Sequence, residues 1–178
     1  MVAFISSNET IDAILLSYKH ELSGDYDKYR NHVYRVFNLT LLLSTTEGDD
    51  YKALEIASAF HDIGIWTNKT FDYLAPSITL SRNYLHQNGL LHLENRVAEI
   101  INNHHKLSIY ELSAEAEAFR KADLIDLSFG LFNFGIKREQ LKALNRQFPS
   151  LGFHRFIIWQ ATKNMFKHPL NPLPMMKM

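Results

Sequence analysis

The chain has 178 residues, 46% hydrophobic and 21% charged, which is enough for one domain with a buried core. Its formal net charge is zero with the histidines neutral, so no bulk field draws it to nucleic acid or to an anionic membrane. It has no cysteine, which excludes a disulfide framework and any thiolate metal site and leaves nine histidines, the carboxylates and water to hold a metal.

The opening MVAFISSNET has no basic segment and only a short apolar start, so it does not read as a signal peptide. Runs such as LTLLLS fall far short of a bilayer span, and a cytoplasmic protein is the default expectation. Ile11, Ile14, Leu15 and Tyr18 share one face of a first helix, about Asn8 to Glu21, which the SGD at 23–25 breaks. A longer helix is predicted from about Asp27 to Thr45. After the turn EGDD at 47–50, Asp49 or Asp50 can cap a helix containing YKALEIASAFHD. That helix is apolar on several sides and should lie centrally, with Gly64 marking its end.

WTNKTFDYLA reads as a loop. Pro76 suits the first turn of a helix reaching about Asn88, which Gly89 stops. A further helix covers about Leu93 to His104. Ser113 can cap the next, with Glu115 and Glu117 in its first turn and its end near Phe129–Gly130. Helices are also predicted at 137–147 and 152–166, and the proline-rich 168–178 as an irregular tail. With no alternating strand pattern, the expectation is an all-α single domain, a helical bundle over 1–178.

The chemistry concentrates around AFHDIGIW, Ala59 to Trp66, where His61 and Asp62 stand among apolar residues and are not expected to be unpaired. At a helix C-terminus a charged histidine is favourable and an aspartate is not, a mismatch that points to a cation nearby. Upstream, NHVYRVFNL puts His32 on an amphipathic helix with Arg35 three residues on. Downstream come the pair His104–His105 and, in RKADLIDLSFG, Asp123.

The segments HVYRV, ASAFHDIG and KADLID, with EGDDYKALEIASAFHDIG and VAEIINNHHKL around them, resemble the HD-domain superfamily of metal-dependent phosphohydrolases over about residues 28–130. The resemblance implies a helical bundle in which His32, His61, Asp62 and Asp123 ligate one divalent metal. Two imidazoles and two carboxylates suit Mn, Fe, Co, Ni, Zn or Mg. It also implies hydrolysis of a phosphoester or phosphoanhydride by metal-activated water, which Asp62 would orient or deprotonate. Family versions with two metals carry another histidine early in the helix after the HD turn. Here FDYLAPSITLS has none, and the next histidine is His86, so a second metal of that kind is not expected, while the pair His104–His105 leaves a weaker second metal or a phosphate contact open.

Around that site His104 is assigned a catalytic role through a phosphate contact, outside the ligands of the main metal. His105 and Lys69 are candidate substrate contacts. Arg35 either clamps phosphate or braces a ligand carboxylate. Asp126, three residues past Asp123, reads as a supporting or solvated residue rather than a ligand. His20, His92, His154 and His168 have no partner pattern and read as structural. Phe153, Phe156, Trp159 and Phe166 follow helical spacing and are predicted to pack in the core. The expected partner is a phosphorylated small molecule, a nucleotide being one candidate, with no nucleic acid and no membrane. The competing reading is a non-catalytic HD module that holds metal or senses a nucleotide.

Overall fold

The computed structural model describes residues 3–176, so the last two residues of the expected tail lie outside the described part. Among those residues the chain is built from helices and turns, with no β-strand. Asn8 caps α1 (Glu9–Ser17) by accepting the Ile11 amide at 3.0 Å. The single helix predicted to reach Glu21 breaks at Tyr18 and resumes as the short α2 (Lys19–Leu22). A 3-10 turn over Ser23–Asp25 then leads into α3 (Tyr26–Leu43), which is buried without interruption from His32 to Thr40.

Next comes α4 (Gly48–Phe60), buried from Ala53 to Phe60, so the expectation of a central helix holds. Its start differs from the predicted cap. Gly48, at φ +55°, opens the first turn, and Asp49 and Asp50 fall inside it, where both face Arg96. Gly64 does not end this helix either, because α4 already stops at Phe60 and Gly64 begins the short α5 (Gly64–Thr67). The glycine answers to crowding: a Cβ there would lie 2.7 Å from the Tyr73 carbonyl oxygen.

The remaining helices are α6 (Leu74–Gln87), α7 (Glu94–Asn103), α8 (Ala114–Leu127), α9 (Arg138–Gln147) and α10 (Phe153–Lys167). Ser113 caps α8 as predicted, accepting the Ala116 amide at 3.1 Å. α3 lies along α8, α4 packs on α1, α7 and α3, and α6 lies on α7. The C-terminal ends of α4 and α7 and the middle of α8 therefore meet beside α3. No helix among the described residues is long and apolar enough to cross a membrane.

Two expectations about packing are corrected near the C-terminus. Trp159 and Phe166 are 57% and 83% exposed, because α10 packs on the core through Phe153, His154, Phe156, Ile157 and Ala161 and leaves its other face open. Helical spacing identifies a face but not whether anything lies against it. Conversely, residues 168–176 carry turns only, yet Met175 from this tail is 4% exposed and belongs to the hydrophobic core.

Candidate metal centre

His61, Asp62 and His104 follow helix ends, while His32 and Asp123 project from within α3 and α8. His61 directly follows α4, and its Nδ1 lies 2.8 Å from the Ser58 carbonyl oxygen, three residues back. His104 directly follows α7, and its Nδ1 lies 2.7 Å from the Ile101 carbonyl oxygen, again three residues back. A carbonyl only accepts, so each Nδ1 carries the proton and each ring turns Nε2 inward. Asp62 follows His61 directly. His32, from α3, donates Nδ1–H to Asp126 Oδ2 at 2.7 Å and also presents Nε2. All these groups are buried: His32 and His61 are 0%, Asp123 1%, and Asp62 and His104 2% exposed.

His32 Nε2 lies 2.9 Å from His61 Nε2, 3.4 Å from Asp62 Oδ2 and 3.6 Å from Asp123 Oδ1. Asp62 Oδ2 is also 3.5 Å from His61 Nε2, and its Oδ1 is 3.3 Å from His104 Nε2. The four residues read as ligands thus converge. Their donor atoms form two sets. One atom each from His32, His61 and Asp123 lies within 4.8 Å of the others, as does one each from Asp62, His104 and His105.

The charges follow from this crowding. Burial alone would lower the pKa of His32, but the Asp126 and Asp62 carboxylates raise it to about 9. Burial drives His61 the other way, down to about 4, with neighbouring His32 and His104 adding to the fall. Two neutral Nε2 lone pairs 2.9 Å apart need something positive between them, and on His32 a proton takes that place. Burial opposes ionisation of Asp62, yet His61, His104 and His32 hold its carboxyl well below the usual range. Asp123 is lowered too, burial again being outweighed by His105, His104 and His32.

A metal fits this set. Both oxygens of Asp123 are buried and accept no hydrogen bond, although His105 Nδ1 stands 3.2 Å from Oδ2, off the hydrogen-bond line. A buried carboxylate in that state is costly, and a divalent cation facing the inward Nε2 atoms would satisfy it. Nitrogen and oxygen donors without sulfur are what Mn, Fe, Co, Ni, Zn or Mg take in such sites.

The family model of the HD domain matches residues 29–128. The chain belongs to the HD-domain family. No curated protein and no solved structure matches it. Membership places this HD domain within the superfamily of metal-dependent phosphohydrolases, and its buried histidine–aspartate cluster is compatible with metal binding.

The contacts beyond the donors correct several assignments. Arg35 does not face an open site. It is 1% exposed, gives Nε and Nη2 to the two oxygens of Asp126 at 2.5 and 2.9 Å, and gives Nη1 to the Phe148 carbonyl at 2.9 Å. It therefore braces a carboxylate, that of Asp126, which in turn holds His32. Lys69 is exposed and lines a separate groove with Trp66, Phe156, Trp159 and Lys163, so the fold does not bring it to the donors as a substrate contact. His105 joins the cluster, between Asp123 and the Tyr73 hydroxyl, 2.5 Å from its Nε2, and also borders a cavity. His86 is exposed late in α6.

Sequence reasoning missed two neighbours of the donors. Tyr73 gave no signal, since it comes from a segment read only as loop. Phe153 was assigned to general core packing, but its ring stacks on His32 at 4.0 Å. His154, read as structural, donates Nε2–H to the Asp126 carbonyl oxygen at 2.9 Å. On one side the cluster meets a cavity of ≈160 Å³ that touches Asp62 and His105.

Proposed function

We propose that this HD domain is a metal-dependent phosphohydrolase that cleaves a phosphoester or phosphoanhydride of a phosphorylated small molecule. The observation that carries the reading is the Asp123 carboxylate, buried with neither oxygen accepting a hydrogen bond beside two inward-facing imidazole nitrogens. His32, His61, Asp62 and Asp123 would hold one divalent cation. When bound, it supplies a Lewis acid that lowers the pKa of water and neutralises phosphate charge.

The chain's own residues account for the protons. Asp62 stands between the two donor sets, so one oxygen can face the cation while the other takes a proton from the attacking water. Burial disfavours charge on His104, but Asp62 and Asp123 outweigh it and raise its pKa. A proton carried on Nε2 would point at Asp62 Oδ1, 3.3 Å away, because Nδ1 is already committed to Ile101. From there His104 can protonate the departing oxygen. Arg35 keeps Asp126 ionised and the His32 ring in position.

The test is a panel of phosphomonoesters, nucleotides and pyrophosphate on metal-free protein resupplied with Mn, Co, Ni, Mg or Zn. Turnover that appears with metal and disappears in Asp62→Asn supports the reading. Stoichiometric metal binding without turnover on any substrate would favour the non-catalytic module instead. His104→Ala should lose turnover and keep the metal; loss of metal in that variant would make His104 a ligand.

A further inference from the structure

The cavity that touches Asp62 and His105 measures ≈160 Å³. An apolar cavity of about 150 Å³ accepts a benzene-sized guest. Its metal end is polar, made by Asp62, His105 and the Tyr73 hydroxyl. Every other side chain on its walls is apolar. Leu127 closes it from the end of α8, Ile157 and Ala161 from α10, and Leu173, Met175 and Met176 from the tail. No lysine or arginine lines it; Lys69 and Lys163 belong to the neighbouring groove. Beyond the donors the cavity therefore offers shape and apolar contact, with no partner for ribose hydroxyls or base edges. Burying those groups unpaired is unfavourable, while methionines make a soft wall suited to alkyl or aryl chains.

The geometry points to this cavity as the leaving-group subsite, and to a substrate class of phosphomonoesters of small apolar alcohols, up to about the size of a phenyl or five-carbon group. The proposal rests on the phosphohydrolase reading of the metal centre. In the step it implies, the oxygen of water forms a bond to phosphorus and the bond from phosphorus to the alcohol oxygen breaks. The electron pair stays on that oxygen, which takes up the proton that His104 would give, and the water gives one up to Asp62. The products are the free alcohol and inorganic phosphate. Tail and α10 residues then set specificity, Ala161 and Met175 among the walls that bound the cavity.

The experiment uses the metal-loaded full chain and two matched series, n-alkyl phosphates from methyl to pentyl for turnover and the corresponding n-alkylphosphonates for binding. Each methylene buried should raise kcat/KM and affinity roughly fourfold until the cavity is full. Phenyl phosphate should exceed glycerol phosphate and AMP. Ala161→Phe should shift the maximum of the series to a shorter chain, read as the pentyl-to-methyl ratio, and Met175→Ala to a longer one. A flat series, or preference for AMP or glycerol phosphate, would overturn the subsite while leaving the phosphohydrolase reading intact. If no phosphate is turned over, the phosphohydrolase reading fails. The phosphonate series still decides whether the cavity takes apolar chains, a flat binding series overturning it.

Discussion

Asp126 is the place where one substitution should separate stability from metal binding. Its carboxylate is 5% exposed and receives Nε–H and Nη2–H of Arg35 and Nδ1–H of His32. Asp126→Asn keeps the shape, but one oxygen becomes an amide that donates, so at least one of those three donors then faces another donor. The Arg35 charge stays buried at 1% exposure with neutral acceptors, the Phe148 carbonyl and the remaining amide oxygen, but no opposite charge to meet it. Breaking a buried pair from one side costs about 3–5 kcal/mol. For a domain of this size each kcal/mol moves Tm by about 2–4 °C, so the variant should melt roughly 6–20 °C lower.

Loss of the carboxylate behind His32 should also weaken metal binding by about 10–100-fold. Calorimetric melts of the metal-free proteins and isothermal titration with Mn or Zn measure the two effects separately. The double variant Arg35→Met with Asp126→Leu removes both charges and should recover much of the stability, since apolar replacement of a buried pair is often neutral. It should not recover the metal affinity, because His32 Nδ1 still lacks its acceptor. A single variant melting within about 2 °C of the parent would refute the argument that this pair must stay matched. Unchanged metal affinity would refute the role of Asp126 in holding His32.

Asp123→Asn should abolish metal-induced stabilisation, which at 100 times Kd amounts to about 2.7 kcal/mol, without lowering the Tm of the metal-free protein. A metal-dependent Tm shift of parental size in that variant would remove Asp123 from the site. Gly64→Ala places a Cβ 2.7 Å from the Tyr73 carbonyl and should cost about 1–3 kcal/mol, read by urea unfolding at unchanged slope. Glu117 bears on acid stability. Burial would raise its pKa, but Arg120, the Tyr110 amide and Lys121 bring it from 4.5 down to about 2. Because the folded value is depressed, its contribution is complete above pH 4.5 and is lost as the pH falls toward about 2. Urea midpoints measured across that window should fall less steeply in Glu117→Gln than in the parent.

Much of this was legible in the sequence because helices announce themselves by period and punctuation. Ser113 and Asn8 cap where a serine and an asparagine precede apolar spacing, and Gly89, at φ +69°, follows α6. The order His32, His61–Asp62, Asp123 was readable because each sits on an apolar helical segment. What period does not carry is which face of a helix finds a partner. Trp159 follows the same spacing as Phe153 and is exposed, while Met175, in a tail with no periodicity, is buried. Arg35 was undecided for the same reason. Its partner Asp126 lies 91 positions away, and only the packing of α3 along α8 brings the two together.

The placement of His61, Asp62 and His104 at helix ends has an electrostatic consequence. α4 and α7 both terminate at the cluster, and a helix C-terminus carries roughly half a negative charge in unsatisfied carbonyls. Ser58 and Ile101 are among those carbonyls, and each is used to orient the histidine that follows its helix. The same turn that fixes an imidazole therefore also adds negative potential to two carboxylates, Asp62 and Asp123, already buried there. Arg35 does not offset this, because Asp126 neutralises it, and among the described residues no lysine forms an ion pair with the donors. A proton on His32 answers only part of that field. The fold thus brings two carboxylates and two helix C-termini to one buried point, a donor set compatible with a divalent cation.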